Sequence, residues 1–488
     1  MIRKLASAVL VAFTVAGCAT NPATGGQDVV FGSMKGEQER ARRYYEQIIR
    51  FYGLYEDQAV QDYVQAVGTR VAKNSHLADW DFKFVVVDDD AVNAFTTGGG
   101  YVYVHRGLLA HLNTEAELAT VLGHEIGHVT ARHPAKRQTQ GILASVLATG
   151  AAIATGSSAI AQLANIGATA WLQGYGRENE MEADRLGLEY SAKSGYRPEA
   201  MAETFKVFKN QETFERNRAK AEGREPRIYH GIFSSHPAPD SRVIQAAKGA
   251  ANIQDEPEGG WIDNREPYLK AIDGLPYGSS RAQGIVRDNR FYHADMRITM
   301  AFPKGWTIEN QRDRILAYTK NKDSLMQVTI DPKPANKGPR EFLLEKLRGG
   351  SFVKGEALAV NGMDGYAVIT RHGSPLDGGQ GPVRWAVLYR GENAYVFGAA
   401  SRSASGGVPA DDGLYLSVIE TLRDLKTSEY PLAEPYRLKV VQVTDKTKLA
   451  DYAKNVPVEK YQKEELELLN GLYPNRAPEP GSYIKVVE

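Results

Sequence analysis

The sequence contains almost no cysteine and carries no net charge. Cys18 is the single cysteine among 488 residues, so no disulfide can form within the chain. Lysine and arginine together number 59, and so do aspartate and glutamate. This balance gives no support to a nucleic-acid partner, which requires a basic surface. The length predicts two to four domains, because single hydrophobic cores rarely grow beyond about 250–300 residues.

Charged residues are also missing from the whole of 138–176. Such a stretch could span a bilayer, which needs about 20 apolar residues. Most of its residues, however, are Ala, Gly, Ser or Thr, with Gln162, Asn165 and Gln173 among them. Each glycine weakens a helix by about 1 kcal/mol relative to alanine. We therefore expect small-residue helices packed beside the functional site rather than a membrane span.

The N-terminus resembles a secretory signal. Arg3 and Lys4 precede an apolar run, 5–15, that is too short for a mature transmembrane helix. The run leads into "VAGC", which is similar to the lipobox of bacterial lipoproteins; an ordinary signal peptide is the alternative. This resemblance implies cleavage before Cys18 and lipidation of its thiol. Because Ala19 follows, it also implies an outer-membrane lipoprotein facing the periplasm of a Gram-negative bacterium.

The rest of the chain divides into segments with different patterns, and the fold class that they predict is α+β. After the signal peptide (1–18), small and polar residues are typical of a tether. A mainly helical domain with a small sheet, a connector rich in Gly and Pro, an α/β domain and a small βαα unit ending in a strand then follow. The corresponding ranges are 19–33, 34–254, 255–284, 285–429 and 436–488.

The sequence "VLGHEIGHVT" contains two histidines four residues apart. A helix predicted over about 114–133 puts His124 and His128 on one face, where both imidazoles can bind one zinc ion. Glu125 is placed to take a proton from a water molecule and later pass it to a leaving amine. Gly127 weakens this helix, which makes sense if another segment must approach it closely.

A catalytic zinc ion needs a third protein ligand and an open fourth position. The segment "RENEMEADRLGLEY" offers carboxylates on another predicted helix, where Glu180 and Asp184 are four residues apart and share a face. If Glu180 binds zinc, Asp184 can accept the second N–H of a ligand histidine and fix its tautomer. Glu178, Glu182 and Glu189 are rival ligands by chemistry alone, and spacing excludes none of them.

These motifs together resemble a known peptidase superfamily. "HEIGH" followed by "RENEMEADRLG" is similar to the zinc metallopeptidases of the HtpX and CAAX-prenyl-protease superfamily, and "VNAFTTGGGYVYVHRGLL" resembles its periplasmic BepA/LoiP branch. The resemblance covers about residues 30–250. It implies a gluzincin-type zincin fold, one zinc ion per chain, and Glu180 as the third ligand with Asp184 beside it.

The resemblance extends to the loop "SSHPAPDSR". Its histidine, His236, matches a movable fourth zinc ligand that can displace the catalytic water; a loop histidine with no metal role is the alternative. Arg242 could stabilise an oxyanion in the transition state, although charged loop residues are usually only solvated. His133 is expected to cap the end of the helix that carries the two histidines. The branch usually has a proline before its glycine pair, where this chain has Thr97.

The sequence "GGGYVYV", residues 98–104, is a candidate substrate-binding strand. Gly99, Gly100 and Tyr101 could lie at a sheet edge, where a bound peptide adds a strand through main-chain hydrogen bonds. A plain internal strand is the alternative. Strand addition suits unfolded or misassembled envelope proteins, the substrates that the family resemblance implies.

The C-terminal residues 436–488 resemble a degenerate LysM module. Asn470 and Gly471 fit the LysM pattern, but "DKTKL" stands where that module usually has Gly-Asp-Thr-Leu. Peptidoglycan is therefore a candidate partner, and a structural relic that binds nothing is the alternative.

The sequence as a whole predicts a lipid-anchored, zinc-dependent endopeptidase. It would degrade misfolded or unassembled envelope proteins in the periplasm by zinc-activated water attack. Two alternatives stay open at this point. One is a latent protease, blocked for instance by His236, that acts as a chaperone or assembly factor for outer-membrane proteins. The other is a structural lipoprotein that binds peptidoglycan.

Overall fold

The chain divides into two compact units. The first contains Met1–Tyr277 and Tyr436–Glu488, and the second contains Gly278–Pro435. The computed structural model describes residues 16–142, 175–222, 226, 240–348, 350–376 and 378–488. No helix within these described ranges is both long and apolar enough to cross a membrane. Most of the uncharged stretch lies outside them, so the small-residue helices expected there stay a prediction.

The first unit begins with a hairpin. β1 (Ala16–Thr20) pairs antiparallel with β2 (Gln27–Phe31). Asn21, in the turn, is buried, and its side-chain amide donates to the carbonyl oxygen of Ala131, which is 110 positions away. The expectation of a tether over 19–33 is therefore wrong, because strand pairing and long-range contacts order a segment whose composition is typical of a linker.

A three-stranded sheet follows two capped helices. Ser33 caps α1 (Met34–Tyr52) and Asp57 caps α2 (Gln58–Ala72), each by accepting a backbone N–H with its side-chain oxygen. The sheet has the order β3-β5-β4, in which β3 and β5 are parallel and β4 is antiparallel to β5. Its strands are β3 (Lys83–Val87), β4 (Ala94–Gly98) and β5 (Tyr101–His105).

The two helices cover opposite faces of this sheet. Successive side chains of a strand point to opposite faces. Val85 and Val87 of β3 accordingly share a hydrophobic cluster with Ile48 of α1, whereas Phe84 and Val86 share the larger core with α2. The sheet is thus buried on both sides.

Helices form most of the remainder of the first unit. α4 is buried along its whole length and carries both histidines of the motif, so we call it the histidine helix. Arg132, with φ of 57°, separates it from helical residues 133–142. The bounds are α3 (Arg106–His111), α4 (Glu115–Thr130), α5 (Arg177–Lys193), α6 (Ala200–Glu222), α7 (Asp240–Ala251) and α8 (Arg265–Ala271), followed by the short strand β6 (Pro276–Tyr277).

The second unit is built on a seven-stranded sheet in the order β10-β11-β12-β16-β15-β14-β13, beside a four-stranded sheet in the order β19-β9-β8-β7. Its elements are β7 (Ile285–Arg287), β8 (Arg290–His293), β9 (Ile298–Ala301), β10 (Thr307–Asn310), β11 (Ile315–Tyr318), β12 (Ser324–Pro332), α9 (Pro339–Lys346), β13 (Phe352–Val360), β14 (Met363–Thr370), β15 (Val383–Arg390), β16 (Asn393–Ser401), β17 (Ala404–Ser405), β18 (Val408–Pro409), α10 (Asp412–Ile419), β19 (Arg423–Asp424) and a 3₁₀ helix (Thr427–Ala433).

The α/β class expected for 285–429 is wrong in its strict sense. Every strand pairing of the second unit in the described residues is antiparallel. The connections explain this, because a two-residue turn suits antiparallel strands and is far too short for the crossover that parallel strands need. Asn361 and Gly362, both with positive φ, form such a turn between β13 and β14. The unit is α+β.

The C-terminal segment, residues 436–488, returns to the first unit. It consists of β20 (Tyr436–Gln442), α11 (Leu449–Ala453), α12 (Gln462–Leu469) and β21 (Tyr483–Val487). β20 lies between β21 and β6. Leu438, Leu466 and Ile484 belong to the same hydrophobic core as α2 and the histidine helix. The segment is thus part of the first unit's core.

Candidate metal centre

The histidine helix has a defined beginning. Thr114 and Glu117 are three residues apart in the sequence, the spacing of a capping box, and Thr114 Oγ1 accepts the backbone N–H of Glu117 at 3.1 Å. The Glu117 carboxyl in turn accepts the backbone N–H of Asn113 at 2.5 Å, one residue earlier than a standard capping box. These bonds fix where the helix starts and hence which face its histidines occupy.

Three buried side chains from two helices converge at one point. The Nε2 atoms of His124 and His128 lie 3.0 Å apart, and each is 3.5 Å from a different carboxylate oxygen of Glu180 on α5. All three donor atoms lie within 4.8 Å of one another, and the side chains are at most 6% exposed. Two imidazole nitrogens and one carboxylate oxygen are a donor set that a catalytic zinc ion takes, so the residues fit this metal.

Glycines let the two helices approach closely enough to form this cluster. A Cβ atom on Gly123 would lie 2.8 Å from the carbonyl oxygen of Gly187, and a Cβ on Gly187 would lie 2.6 Å from the backbone nitrogen of His124. A Cβ on Gly127 would lie 3.0 Å from the carbonyl oxygen of Ala183. The segment that approaches Gly127 is therefore α5, which carries Glu180.

His124 is supported by a carboxylate. Its Nδ1 lies 2.9 Å from Oδ1 of Asp184, and Arg242 on α7 donates to both oxygens of that carboxylate at 2.6 Å. Burial favours the neutral acid, but the contacts with His124 and Arg242 outweigh it and hold the pKa of Asp184 below its ordinary value. Asp184 is thus a charged acceptor that orients the His124 ring.

Arg242 also binds the third candidate ligand. Its Nη1 lies 3.0 Å from Oε2 of Glu180, and its guanidinium lies 4.7 Å from the centre of the Phe205 ring. Burial alone would lower the pKa of Arg242, but Asp184 and Glu180 raise it. The contacts that the structure shows make Arg242 a positioning residue for both carboxylates. Its expected role at an oxyanion stays a prediction.

His128 is supported by a second histidine. Its Nδ1 lies 2.8 Å from Nδ1 of His133, whose Nε2 lies 3.1 Å from the Glu182 carboxylate. Burial holds the pKa of His128 well below its ordinary value despite the opposing contact with Glu180. A neutral His128 that donates from Nδ1 leaves its Nε2 lone pair for a metal. The expectation that His133 only caps a helix is wrong, because the turn at Arg132 swings it back against His128.

Tyr175 is a residue of the site that sequence reasoning missed. Its ring stacks on His128, with centroids 4.0 Å apart and an interplanar angle of 20°. Arg137 lies over the same tyrosine ring at 4.5 Å. Burial and the carboxylates of Glu125 and Glu180 raise the pKa of Tyr175, although Arg137 opposes them, so the phenol stays neutral. Its position two residues before "RENEMEAD", the segment that carries Glu180, is the sequence feature that could have indicated its place in the site.

The three rival carboxylates lie away from the cluster. Glu178 is exposed at the beginning of α5, Glu182 is bound to His133, and Glu189 pairs with Lys193 at 2.7 Å. Glu125, by contrast, is fully buried on the histidine helix directly beside His124. The fold therefore brings the three converging side chains together, and the Glu125 carboxylate is close enough to raise the pKa of both Tyr175 and Arg242.

The candidate substrate strand is not at an edge. Tyr101 pairs with Lys83 on one side and with Gly98 on the other, so β5 is the central strand. Gly99 and Gly100 form a turn with positive φ, and a Cβ on either would lie within 2.8 Å of a backbone atom. The expectation of an edge strand over 98–104 is wrong. Strand order depends on long-range pairing, which the local glycine pattern does not report.

The side chains of His236 and Cys18, two further predicted site residues, lie outside the part of the chain that the structure describes. His236 lies outside the described residues, so its role as a movable ligand stays a prediction. Cys18 lies in β1, and the backbone register places it opposite Val29. Its lipidation likewise stays a prediction.

Comparison with known proteins agrees with this geometry. A family model described as peptidase family M48 matches residues 58–250. The beta-barrel assembly-enhancing protease of Yersinia pestis is 30% identical over 53% of this chain and 54% of its own length. The Escherichia coli K12 protein of the same name is 28% identical over 46% and 45%. The mitochondrial metalloendopeptidase OMA1 of Arabidopsis thaliana is 34% identical over 30% and 29%. The chain thus spans about half the length of these bacterial relatives.

Proposed function

Residues 58–250 of this chain are a zinc metallopeptidase domain of family M48, and from this premise we propose that the protein is an endopeptidase for misfolded or unassembled envelope proteins. One observation carries the proposal. Buried His124, His128 and Glu180 converge within 4.8 Å, and Glu125 lies beside the first of them. Zinc held by these three residues would supply a Lewis acid for the scissile carbonyl and for the attacking water.

The protein's own residues prepare and complete the reaction. The Glu125 carboxylate is the general base that takes a proton from the attacking water and then gives it to the leaving amine as the C–N bond breaks. Asp184 and His133 hold the two ligand rings so that each Nε2 faces Glu180. Arg242 fixes the carboxylates of Glu180 and Asp184. No covalent enzyme intermediate is required.

The substrate class is proposed from the relatives. Two of them are named for enhancing beta-barrel assembly, which supports a role in the quality control of outer-membrane proteins. The lipobox-like "VAGC" supports lipidation of Cys18 and a position on the periplasmic face of the outer membrane. To test the location, wild type and Cys18→Ala are compared by membrane fractionation. We expect Cys18→Ala to leave the membrane fraction, and unchanged membrane association would contradict a lipid anchor.

The catalytic proposal is tested by casein cleavage with zinc content measured in parallel. Wild type is compared with Glu125→Gln, which keeps the shape of the side chain but removes the base. Glu178→Gln is the matched control, because this glutamate is exposed on α5. We expect equal zinc in all three proteins and at least a ~100-fold loss of activity in Glu125→Gln alone. Zinc without cleavage in wild type would contradict the peptidase function.

A further inference from the structure

The C-terminal segment reaches the residues that lead into the histidine helix. We call residues 110–114, which run from the last two residues of α3 to the N-cap of α4, the lead-in. Lys485 of β21 is completely buried, and its Nζ donates to the carbonyl oxygens of Ala110 at 2.7 Å and Leu112 at 2.6 Å. These carbonyls lie at the end of α3. Burial and the nearby Arg265 lower the pKa of Lys485 well below its ordinary value, although Glu117 opposes them. The amino group donates to both carbonyl oxygens and so closes the end of α3 and fixes the lead-in.

Other charged groups hold the same five residues. Arg265 of α8 donates from Nη1 to the carbonyl oxygen of Asn113 at 3.3 Å and from Nη2 to the carbonyl oxygen of Tyr483 at 3.1 Å. The backbone N–H of Asn113 is bound by Glu117. The lead-in is thus held by side chains from β21, from α8 and from the histidine helix itself, and Arg265 joins it directly to the C-terminal segment.

The position of Lys485 is itself fixed by the C-terminal segment. The side-chain amide of Asn470, at the end of α12, donates to the carbonyl oxygen of Lys485 at 2.8 Å, and its oxygen accepts the Lys485 N–H at 2.8 Å. Asn470 is 4% exposed. A buried side chain therefore fixes the backbone from which the Lys485 side chain extends.

The C-terminal segment also binds α6, which packs on the histidine helix. Arg218 of α6 lies 2.9 Å from Glu465, and Phe214 makes edge contacts with the rings of Tyr461 and Tyr473. At the other end of α6, the hydroxyl of Thr204 lies 3.3 Å from that of Thr120 in the histidine helix. The segment therefore joins two elements that both contact this helix.

We propose that residues 436–488 are an intramolecular clamp that sets the position of the histidine helix, with Lys485 as a positioning residue for peptide hydrolysis. Burying the amino group of a lysine costs free energy that an apolar side chain would not lose. An apolar side chain could not bind two carbonyl oxygens of the lead-in. This inference rests on the proposed peptidase function. Peptidoglycan binding by the same segment stays a prediction.

The test compares Lys485→Met with Lys439→Met. Lys439 lies on the neighbouring strand β20, and its half-exposed side chain pairs with Asp273 at 3.1 Å. Both variants are assayed well below their unfolding temperature, and folded fraction, zinc content, kcat and KM are measured for each. We expect Lys485→Met to lose about 10-fold in kcat with KM within twofold and the zinc content unchanged, because a small misplacement of catalytic groups lowers the rate strongly. Lys485→Arg, which keeps N–H donors at this position, should recover part of the rate.

A second measurement separates this proposal from the peptidase proposal. Hydrogen exchange is followed over residues 115–130 in the three variants and in wild type. We expect faster exchange there in Lys485→Met and unchanged exchange in Lys439→Met, whether or not the chain cleaves casein. Unchanged exchange together with unchanged kcat would overturn the clamp. A lower unfolding temperature with wild-type kcat and exchange would make Lys485 a structural residue only and would also overturn it.

Discussion

The two ends of the histidine helix are held by opposite ends of the chain and by different chemistry. At the N-terminal end, Lys485 and Arg265 bind main-chain carbonyls of the lead-in. At the C-terminal end, the guanidinium of Arg132 binds the Glu37 carboxylate, with Nε 3.1 Å from Oε1, and Asn21 contacts the carbonyl oxygen of Ala131. The N-terminal end thus depends in part on a lysine whose pKa burial lowers well below its ordinary value, whereas the C-terminal end depends on an arginine, which keeps its charge at all ordinary pH values.

This comparison shows how the position of the histidine helix is fixed at three places along its length. His124 and His128 lie on the part of the helix that α5 approaches closely, because the residues in contact there are glycines. Each end is then fixed by a segment distant in sequence. Replacements should therefore cost most in the middle, less at an end held by a buried ion pair, and least where a neutral contact can be replaced by water.

The largest effect is expected from Gly187→Ala in the middle of the helix. The new Cβ would lie 2.6 Å from the backbone nitrogen of His124, so α5 and the histidine helix must move apart and carry Glu180 away from the histidines. We expect kcat/KM to fall at least ~100-fold, since about 1 Å of misplacement can cost that much. Zinc affinity, measured by chelator competition, should fall with it.

Gly176→Ala is the control for this prediction. The residue precedes α5 with φ of −69°, and a Cβ there meets nothing within 4 Å. Its kcat/KM should stay within twofold of wild type. A wild-type zinc affinity in Gly187→Ala would show that the contact between the two helices can accommodate a Cβ atom. The expectation that replacements in the middle of the helix cost more than replacements at its ends would then be wrong.

The next effect is expected from Glu37→Gln at the C-terminal end. The change leaves the guanidinium of Arg132, which is 1% exposed, without its carboxylate. Breaking a buried ion pair on one side costs about 3 kcal/mol. Denaturant unfolding of the variant should show a loss of that size. Glu39→Gln, at an exposed position of the same helix α1, should change the free energy of unfolding by less than about 0.5 kcal/mol. If both variants lost the same free energy of unfolding, the ion pair between Glu37 and Arg132 would not stabilise the fold.

The parts of the site that sequence predicts are those set by local spacing. The pairs His124–His128 and Glu180–Asp184 are four residues apart on helices, so each pair shares a face whatever the rest of the fold does. In the structure, His124, His128 and Glu180 converge into one cluster, and the match to peptidase family M48 covers both of these helices. The N-cap at Thr114 is also local, and the structure shows it.

The parts that sequence misses depend on contacts far along the chain. His133 reaches His128 because Arg132 adopts positive φ, which helical periodicity cannot anticipate. Lys485 contacts Leu112, 373 positions away, and no local pattern marks it. The tether and the edge strand were wrong for the same reason. Composition and glycine content describe a segment alone, whereas its partners decide whether it is ordered or internal.

Acidification should change the free energy of unfolding through the N-terminal end of the histidine helix. The expected change is smaller than that of Glu37→Gln and larger than that of a lost neutral contact. Burial raises the pKa of Glu117 to about 7, with Glu203 adding to the shift and Asn113, Lys485 and Arg265 opposing it. The folded state then takes up this proton before the unfolded state, so acidification from pH 7 to about 4.5 stabilises the fold through Glu117. The Glu117→Gln variant lacks this gain. Its free energy of unfolding should fall by about 1–3 kcal/mol more than that of wild type between pH 7 and 5.

His111, near the same end of the histidine helix, should change the free energy of unfolding in the opposite direction on acidification. Burial lowers the pKa of His111 to about 4, a shift that Lys485 favours and the Gly107 carbonyl opposes. Here the unfolded state takes up the proton first, so acidification from pH 6.5 to about 4 destabilises the fold. In His111→Gln the stability should therefore hold better in acid than in wild type. Glu266→Gln, exposed on α8, is the control and should follow the wild-type profile. Parallel profiles for all four proteins would show that the N-terminal end does not titrate.

The smallest effect is expected from Asn21→Ala in the hairpin. The change removes the contact with Ala131 and a hydrogen bond to Asp28 at 2.9 Å. Water can replace part of what is lost, so thermal or denaturant unfolding should show a destabilisation of about 1 kcal/mol, with kcat within twofold of wild type. Gln27→Ala, exposed on β2, should show no measurable change. If Asn21→Ala instead lowered kcat as much as Lys485→Met, the hairpin would position the histidine helix as strongly as the C-terminal segment does, and the two ends would be equivalent despite their different chemistry.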